Sequence, residues 1–150
     1  MNAFTLLKED HRKVADLFEQ LEATTERARK TRDELFQKVY QELDVHSRIE
    51  EELLYPILKE SEETREIATE AVEEHRVVKQ LLKELDVRDK ANEEWTARLT
   101  VLKENVEHHV EEEEGEMFKK ARKVLSQQQL DDLGNRMAVA KKKLVKSASR

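Results

Sequence analysis

The sequence predicts an all-α protein, an up-down-up-down four-helix bundle with an additional C-terminal helix. The first observation is composition: 41% of the residues are charged, only two are Gly and one is Pro, whereas all-β proteins use Gly and Pro heavily in turns. The second is that apolar residues recur at alternating spacings of three and four, the period of a helix face buried in a bundle. The third is length, since 150 residues suffice for one core.

Composition and charge exclude several classes of protein. No run approaches the ~18–20 apolar residues of a membrane-spanning helix. The net charge is −6, with acidic and basic residues mixed along the chain, which gives no electrostatic support for nucleic-acid binding. The lack of cysteine excludes disulfides, thiol catalysis and zinc–thiolate or iron–sulfur sites. The N-terminus lacks the apolar stretch of a secretory signal, so we expect a cytoplasmic location.

Breaks in the apolar pattern divide the chain into helices. The pattern lapses near Arg29–Arg32, Ser61 with the following acidic residues forms an N-cap, and Asp89–Asn92 offers another. Pro56 lies inside the second helical pattern and lacks an N–H, so we expect a kink or an early end there. The predicted helices span about residues 5–28, 32–59, 62–87, 92–122 and 127–146.

The last segment is predicted to pack on the bundle as a fifth helix. Ser126–Gln129 fits a capping box, in which side chains satisfy free backbone amides at a helix start. Lys141–Lys143 is interpreted as a solvated helix end, the alternative being a binding patch. We therefore expect residues 1–125 to form the bundle, and residues 126–150 to form the C-terminal helix and a short basic tail. The apolar stripe of this helix comprises Leu130, Leu133, Met137, Ala140 and Leu144.

Each of the first four helices carries a histidine on its apolar face. These histidines are His11, His46, His75 and His109. The second and fourth helices add a glutamate four residues later on the same face, Glu50 and Glu113. His108 is about 100° around the helix from His109, so it is predicted to lie outside the set.

The two halves of the chain repeat this pattern. The stretch DHRKVADLFEQLE from Asp10 resembles EHRVVKQLLKELD from Glu74, and HSRIEEELLY from His46 resembles HHVEEEEGEMF; the histidine offsets are 64 and 63 residues. At about 1.5 Å per residue, the four histidines fall near mid-height of an up-down bundle. The sequence thus predicts that four imidazoles and two carboxylates converge in one core layer.

Such a layer predicts a metal site. A lone core-facing histidine is more often a hydrogen-bonded structural residue, but burying six polar groups without compensation costs several kcal/mol. A bound cation supplies the missing partner. Without it, we expect the clustered histidines to become protonated and repel one another as the pH falls.

Five acidic residues occupy other faces and are interpreted as solvated surface: Glu51, Glu52, Glu111, Glu112 and Glu114.

These motifs resemble the hemerythrin family, specifically the hemerythrin-like HHE cation-binding domains, over about residues 5–122. The resemblance rests on His11, HSRIEEELLYP, His75 in EEHRVV, and HHVEEEEGEMF. It implies a four-helix bundle holding two non-heme iron ions with oxo or hydroxo and carboxylate bridges. Zinc or manganese are possible substitutes, because imidazole and carboxylate sites accept them too.

The resemblance also implies which residues serve each iron. One iron would be held by His11, His46 and Glu50. The other would be held by His75, His109 and Glu113, with both glutamates placed to bridge. Oxygen-carrying hemerythrins have a second histidine where this chain has Lys79, and an Asp five residues after the last histidine, where this chain has Glu113 four residues on. The resulting set is symmetric, whereas carriage relies on one saturated and one open iron.

The expected function is to bind or sense a small molecule (dioxygen, nitric oxide or peroxide) at this two-metal site. A diiron oxidase or peroxidase, an iron-handling protein and a helical scaffold with incidental histidines are left open, so enzymatic activity is undecided. No protein partner follows from the sequence. The pocket beside the ligands is predicted to be apolar apart from the ligands themselves, which suits a diatomic gas or peroxide and no larger substrate. The residues predicted to line this pocket are Val14, Leu43, Leu53, Val78, Leu102 and Val106.

Overall fold

A computed structural model describes residues 1–148. All regular secondary structure in this range is helical, and it contains no strand. The end of the predicted basic tail, residues 149–150, lies outside this range. Within it, every helix is too short or too polar to cross a membrane. The elements are α1 (Ala3–Glu22), α2 (Arg29–Ile49), a first π-helical turn (Glu50–Leu54), α3 (Tyr55–Lys59), α4 (Glu62–Asp86), α5 (Glu93–Glu112), a second π-helical turn (Glu113–Met117), α6 (Phe118–Val124) and α7 (Gln127–Ala148).

The first helix connection lies earlier than predicted, at residues 23–28 rather than near 29–32. Arg32 stands inside α2 and is buried. Its guanidinium donates to the Thr24 hydroxyl at 2.9 Å and to the Lys90 carbonyl at 2.7 Å. The lapse in the apolar pattern therefore marks a buried polar anchor that ties two loops together, and not a helix end.

Two of the three predicted caps form side-chain hydrogen bonds. Asn92 accepts from the backbone amide of Trp95 at 2.8 Å. The capping box is confirmed, because Ser126 accepts from the Gln129 amide at 3.2 Å while Gln129 accepts from the Ser126 amide at 2.7 Å. Ser61 is the N-cap residue of α4, but its side chain makes no capping bond within the described residues.

Each π-helical turn begins at one of the two predicted glutamates. The kink expected at Pro56 takes the form of the first π turn, which places the proline in the first turn of α3, where its missing N–H is tolerated. A π turn contains more residues than an α turn, so the buried face shifts after it. Leu54 and Leu58 are fully buried, whereas Leu53 is only partly buried.

The histidines separate two apolar clusters along the helices. The first apolar cluster includes Phe4, Ile49, Leu58, Phe118 and Met137. The second apolar cluster includes Phe18, Phe36, Leu82, Trp95 and Leu102. The C-terminal helix α7 packs on α1 and α2 and adds Leu130, Leu133 and Met137 to the first cluster, as its apolar stripe predicts.

Candidate metal centre

The structure brings all six predicted residues into one buried layer. Each of α1, α2, α4 and α5 supplies one histidine, and the four histidines are only 5–7% exposed. Glu50 and Glu113 are 0% exposed and are the first residues of the two π turns. Because the i and i+4 positions of a helix share a face, each glutamate follows the histidine of its own helix into the core.

The Glu50 carboxylate lies between the two halves of the chain. Its Oε1 atom is 3.1 Å from Nε2 of His46 and 3.1 Å from Nε2 of His75. Nε2 of His75 is also 3.2 Å from Nε2 of His109. One carboxylate oxygen therefore faces a histidine of each half.

Glu113 has the corresponding place on the opposite helix. Its Oε1 is 3.1 Å from Nε2 of His11, and its Oε2 is 3.2 Å from Nε2 of His109. Each glutamate thus reaches one histidine of each half of the chain. This is the disposition that lets a carboxylate contact two neighbouring cations.

The candidate ligand atoms form two groups of three, each within 4.8 Å of one another. One group is His11, His46 and Glu113, and the other is Glu50, His75 and His109. The family resemblance implied that each pair of histidines takes the glutamate of its own half. In the structure each pair forms a compact group with the glutamate of the other half, while each glutamate also lies 3.1–3.2 Å from the histidine of its own half.

Several atoms of this layer lie close to one another, but among residues 1–148 they are buried without a hydrogen bond of suitable geometry. They are Nε2 of His11, Nε2 of His46, both carboxylate oxygens of Glu50 and Oε1 of Glu113. An unsatisfied buried polar atom costs about 1–3 kcal/mol, against a total stability of about 5–15 kcal/mol for a typical domain. These atoms all carry lone pairs that a cation accepts, and imidazole nitrogen with carboxylate oxygen is a donor set for transition metals. The residues present therefore fit a bound metal.

A second layer of carboxylates surrounds the histidines. Each accepts from Nδ1, the ring nitrogen that points away from the cluster. The pairs are Glu114–His11 (2.6 Å), Asp10–His46 (3.0 Å), Glu51–His75 (3.3 Å) and Glu74–His109 (2.8 Å). A proton held on Nδ1 by a carboxylate leaves Nε2 free to bind a metal and fixes the orientation of the ring.

The sequence interpretation missed this outer layer. Glu51 and Glu114 were interpreted as solvated surface, but they are half-buried and each also accepts from a histidine of the layer, while Glu52 and Glu111 are exposed as expected. The sequence did contain a signal for this outer layer. Each outer carboxylate is the sequence neighbour of a predicted ligand, and the pairs Asp10/Glu74 and Glu51/Glu114 repeat at the histidine offsets of 64 and 63 residues. Yet each one serves a histidine of a different helix, which only helix packing reveals.

Tyr55 is a further group at the centre that sequence reasoning did not single out. It is 1% exposed, and its hydroxyl lies 3.1 Å from Oε2 of Glu113, 3.2 Å from Nε2 of His75 and 3.5 Å from Nε2 of His109. Its counterpart in the internal repeat is Phe118, which has no hydroxyl. The two halves of the centre are therefore chemically unequal, although their six candidate ligands are symmetric.

The fifth histidine lies outside the layer, as its helical phase predicts. The His108 side chain is 65% exposed, and its Nε2 is 3.5 Å from Glu112 and 3.8 Å from Glu74. It faces solvent beside the outer carboxylate Glu74.

Carboxylates dominate the electrostatics of the centre. Burial lowers the pKa of His46, but the surrounding carboxylates, Glu50 foremost, raise it well above its usual range. The same balance raises the pKa of His75, and it raises the pKa of His109 to about 12. Burial raises the pKa of Glu50, but the charge of His46 foremost, with hydrogen bonds to Glu113, His109 and His46, brings it well below its usual value. Imidazole protons and a metal ion are thus alternative means of neutralising the same carboxylates.

These shifts correct the expected acid response of the centre. Repulsion between charged histidines was expected to weaken the protein as the pH falls. His109 does lower the pKa of His75, but the carboxylates Glu50 and Glu51 outweigh it. Because each buried histidine with a shifted pKa meets a carboxylate on both ring nitrogens, its proton stabilises the folded state.

A cavity of about 200 Å³ adjoins the four histidines on the side of the second apolar cluster. Its apolar lining is Val14, Leu43, Val78, Leu82, Val106 and Val110. Two of the apolar residues predicted to line it do not: Leu53 packs against the first apolar cluster and Leu102 lies in the second. The prediction that only ligands contribute polar groups was wrong, since Tyr40, Asp44 and Lys79 also line the cavity.

Comparison with known proteins identifies a cation-binding family and a similar fold. The family described as Hemerythrin HHE cation binding domain matches residues 2–121. The crystal structure of a Hemerythrin HHE cation binding domain-containing protein from Mycobacterium kansasii is similar with a TM-score of 0.87 and 29% identity, covering 99% of this chain and 90% of that chain. An uncharacterized protein of Mycobacterium tuberculosis (strain ATCC 25618 / H37Rv) is 33% identical over 142 residues, which are 92% of this chain and 84% of that protein.

A longer protein is also similar. A protein of Nostoc sp. named DNA nickase is 29% identical over 147 residues, which are 96% of this chain and 40% of that protein. The chain thus spans less than half the length of the Nostoc protein, and the name describes that whole protein.

Proposed function

Because the chain belongs to the Hemerythrin HHE cation-binding domain family, we propose that it is a non-heme diiron protein that binds a small molecule at the buried His/Glu centre. The observation that carries the proposal is the set of buried Nε2 and carboxylate atoms that converge on one layer without forming hydrogen bonds of suitable geometry. Iron at this centre would supply an open coordination position and a change of oxidation state.

The two groups of candidate ligands are the proposed iron sites. One iron would be held by His11, His46 and Glu113. The other would be held by His75, His109 and Glu50. Each glutamate also lies 3.1–3.2 Å from a histidine of the opposite group, so either carboxylate could serve either group of histidines. The outer carboxylates hold the imidazoles in the tautomer that leaves Nε2 free.

The size and lining of the cavity support a small ligand such as dioxygen, nitric oxide or peroxide. Its volume is about 200 Å³, and histidine rings form part of its wall, so a molecule inside it contacts the ligand layer. A water molecule accounts for about 30 Å³ in the liquid, so the cavity has room for a molecule of a few atoms.

The proposed arrangement of the helices is the up-down-up-down bundle of residues 1–125, with α7 packed against it. Helix α1 packs on α2, and α4 packs on α5. The connections between these partners are short, at residues 23–28 and 87–92. Packed helices joined by short connections run antiparallel.

Metal analysis of protein purified aerobically from iron-supplied cells tests the proposal. We expect two iron ions per chain and an optical spectrum that changes on addition of azide or nitric oxide. The variants His75→Ala and Glu113→Ala are expected to lose at least one ion, while the exposed control His108→Ala retains both. An iron-free protein, or iron lost only from His108→Ala, would contradict the proposed site.

Tyr55 favours a second candidate function, the reduction of peroxide to water with two electrons from an external reductant. Burial, with the carboxylates Glu50 and Glu113, raises the pKa of Tyr55 well above its usual value, so the phenol keeps its proton. That proton lies at Oη, beside the ligand atoms of His75 and Glu113, where a reduced oxygen species would need one. We expect Tyr55→Phe to slow peroxide turnover by at least tenfold while its iron content stays unchanged. Equal turnover by Tyr55→Phe would remove this candidate.

A further inference from the structure

The C-terminal helix contacts the candidate metal centre through a lysine. Helix α7 lies beyond residues 2–121, the range that matches the HHE family. Lys142 and Lys143 are exposed, as expected for a solvated run, but Lys141 is half-buried. Its Nζ lies 2.5 Å from Oδ1 of Asp10. The interpretation of the whole lysine run as solvated was therefore wrong at Lys141.

Asp10 relays this contact to a candidate ligand. Its second oxygen, Oδ2, is 3.0 Å from Nδ1 of His46. Nε2 of the same ring is one of the buried atoms without a hydrogen-bond partner among residues 1–148. Lys141, Asp10 and His46 thus form a continuous chain of contacts from α7 to the ligand layer.

Asp10 differs from the other outer carboxylates. Its side chain is 3% exposed, whereas those of Glu51, Glu74 and Glu114 are 27–35% exposed. Water can solvate the charge of those three, but a carboxylate as buried as Asp10 depends on a protein cation. Lys141 supplies that cation at hydrogen-bonding distance. By contrast, the ammonium group of Lys79 is 4.0 Å from the Glu51 carboxylate.

We propose that Lys141 is a positioning residue for one of the two metal sites, the one that contains His46. The ammonium group holds the Asp10 carboxylate in one orientation, and Asp10 in turn aligns the His46 ring so that Nε2 points into the layer. This inference rests on the proposed two-metal function. It makes the metal affinity of the His11–His46 site dependent on α7, and leaves the His75–His109 site independent of it.

Titration of the full-length, metal-free protein with Co²⁺ alone tests the inference. Competition with a chromophoric chelator gives the affinity of each ion, and the visible Co²⁺ spectrum reports on each site. We expect Lys141→Met to lower the affinity of one ion by about tenfold, the lower end of the effect of an outer-layer partner. The second ion is expected to keep its wild-type affinity and spectrum.

Matched variants separate positioning from loss of charge or of fold. Lys142→Met removes the same charge from the adjacent exposed position and is expected to leave both affinities unchanged. Lys141→Arg, which keeps the cation, is expected to restore most of the lost affinity. Asp10→Asn is expected to weaken the same ion, and adding Lys141→Met to it should cause little further loss, because the two residues act in one chain. Lys141→Gln repeats the test with a different side chain.

The outcomes distinguish this inference from the proposed function. Wild-type protein that binds fewer than two ions would contradict the two-metal centre itself. Two ions in wild type, with equal affinities in Lys141→Met and Lys142→Met, would overturn the role of Lys141 alone. An equal loss at both ions, accompanied by a lower melting temperature of the metal-free protein, would show that the ion pair serves only to dock α7.

Discussion

At the scale of single residues, the two ring nitrogens of each histidine in the layer face different partners. Nδ1 faces an outer carboxylate and Nε2 faces the inner layer, so every ring is polarised toward the centre. Carboxylates outnumber the positive charges available to them until the imidazoles take up protons. The raised pKa values of His46, His75 and His109 express this imbalance.

We expect metal binding to release protons. Because those three histidines have a raised pKa, the metal-free protein holds protons that a metal must displace, since only neutral imidazole binds metal. Metal affinity should therefore keep rising with pH beyond about 6.5, the usual pKa of histidine. Calorimetric titration with Zn²⁺ in buffers of different ionisation enthalpy measures the protons released. We expect more than one per chain, with His108→Ala unchanged as the control; heats that do not depend on the buffer would contradict this.

At the scale of elements, irregular turns and close helix approach shape the centre. The π turns start at Glu50 and Glu113, so the helical register changes immediately after each inward carboxylate. Helix α7 approaches the start of α1 at Gly134. A Cβ atom there would meet the carbonyl oxygen of Met1 and would lie 2.7 Å from the carbonyl carbon of Asn2. A side chain at this position therefore forces the backbone of α7 or α1 to move.

We expect Gly134→Ala to destabilise the protein. Overpacking against backbone costs about 1–3 kcal/mol, which outweighs the gain of about 1 kcal/mol for replacing Gly by Ala in a helix. Gly115→Ala is the matched control, because a Cβ there has no heavy atom of the described residues within 4 Å. We expect it to be neutral or mildly stabilising. Urea denaturation of both variants without metal gives the comparison, and Gly134→Ala as stable as Gly115→Ala would contradict the close contact.

At the scale of the whole molecule, a polar layer divides the apolar core in two. The first apolar cluster lies on one side of the histidines and the second on the other. The stability of the fold therefore depends on how the charges of that layer are neutralised, by metal ions or by protons. This links melting temperature to both metal content and pH.

We expect removal of metal to lower the melting temperature, and by more at high pH. A histidine with a raised folded pKa stabilises fully below its unfolded pKa of about 6.5 and loses that contribution as the pH rises through the folded value. Metal-free protein should therefore be less stable at about pH 9 than at about pH 6. The lowered pKa of Glu50 acts in the opposite sense, because its contribution is present above about pH 4.3 and is lost as the pH falls further.

Scanning calorimetry of metal-loaded and metal-free protein across this pH range is the measurement. The difference between the two melting temperatures should widen as the pH rises, because protons no longer compensate the metal-free layer. Identical curves at every pH would show that metal does not neutralise the buried charges.

The sequence by itself determined what depends on local periodicity. The spacing of three and four residues defines the helix faces, and the i and i+4 relation places Glu50 with His46 and Glu113 with His109. The capping box at Ser126 is likewise local. These features follow from the sequence because the helix geometry between neighbouring residues is nearly constant.

Only the tertiary structure decided which distant groups meet. Lys141 and Asp10 are 131 positions apart in the chain, and no period connects them. The contact of each glutamate with histidines of both halves and the place of Tyr55 likewise depend on how helices rotate and cross. The pKa directions of the histidines also needed the structure, because each is a sum over charges from several helices at distances that only packing sets.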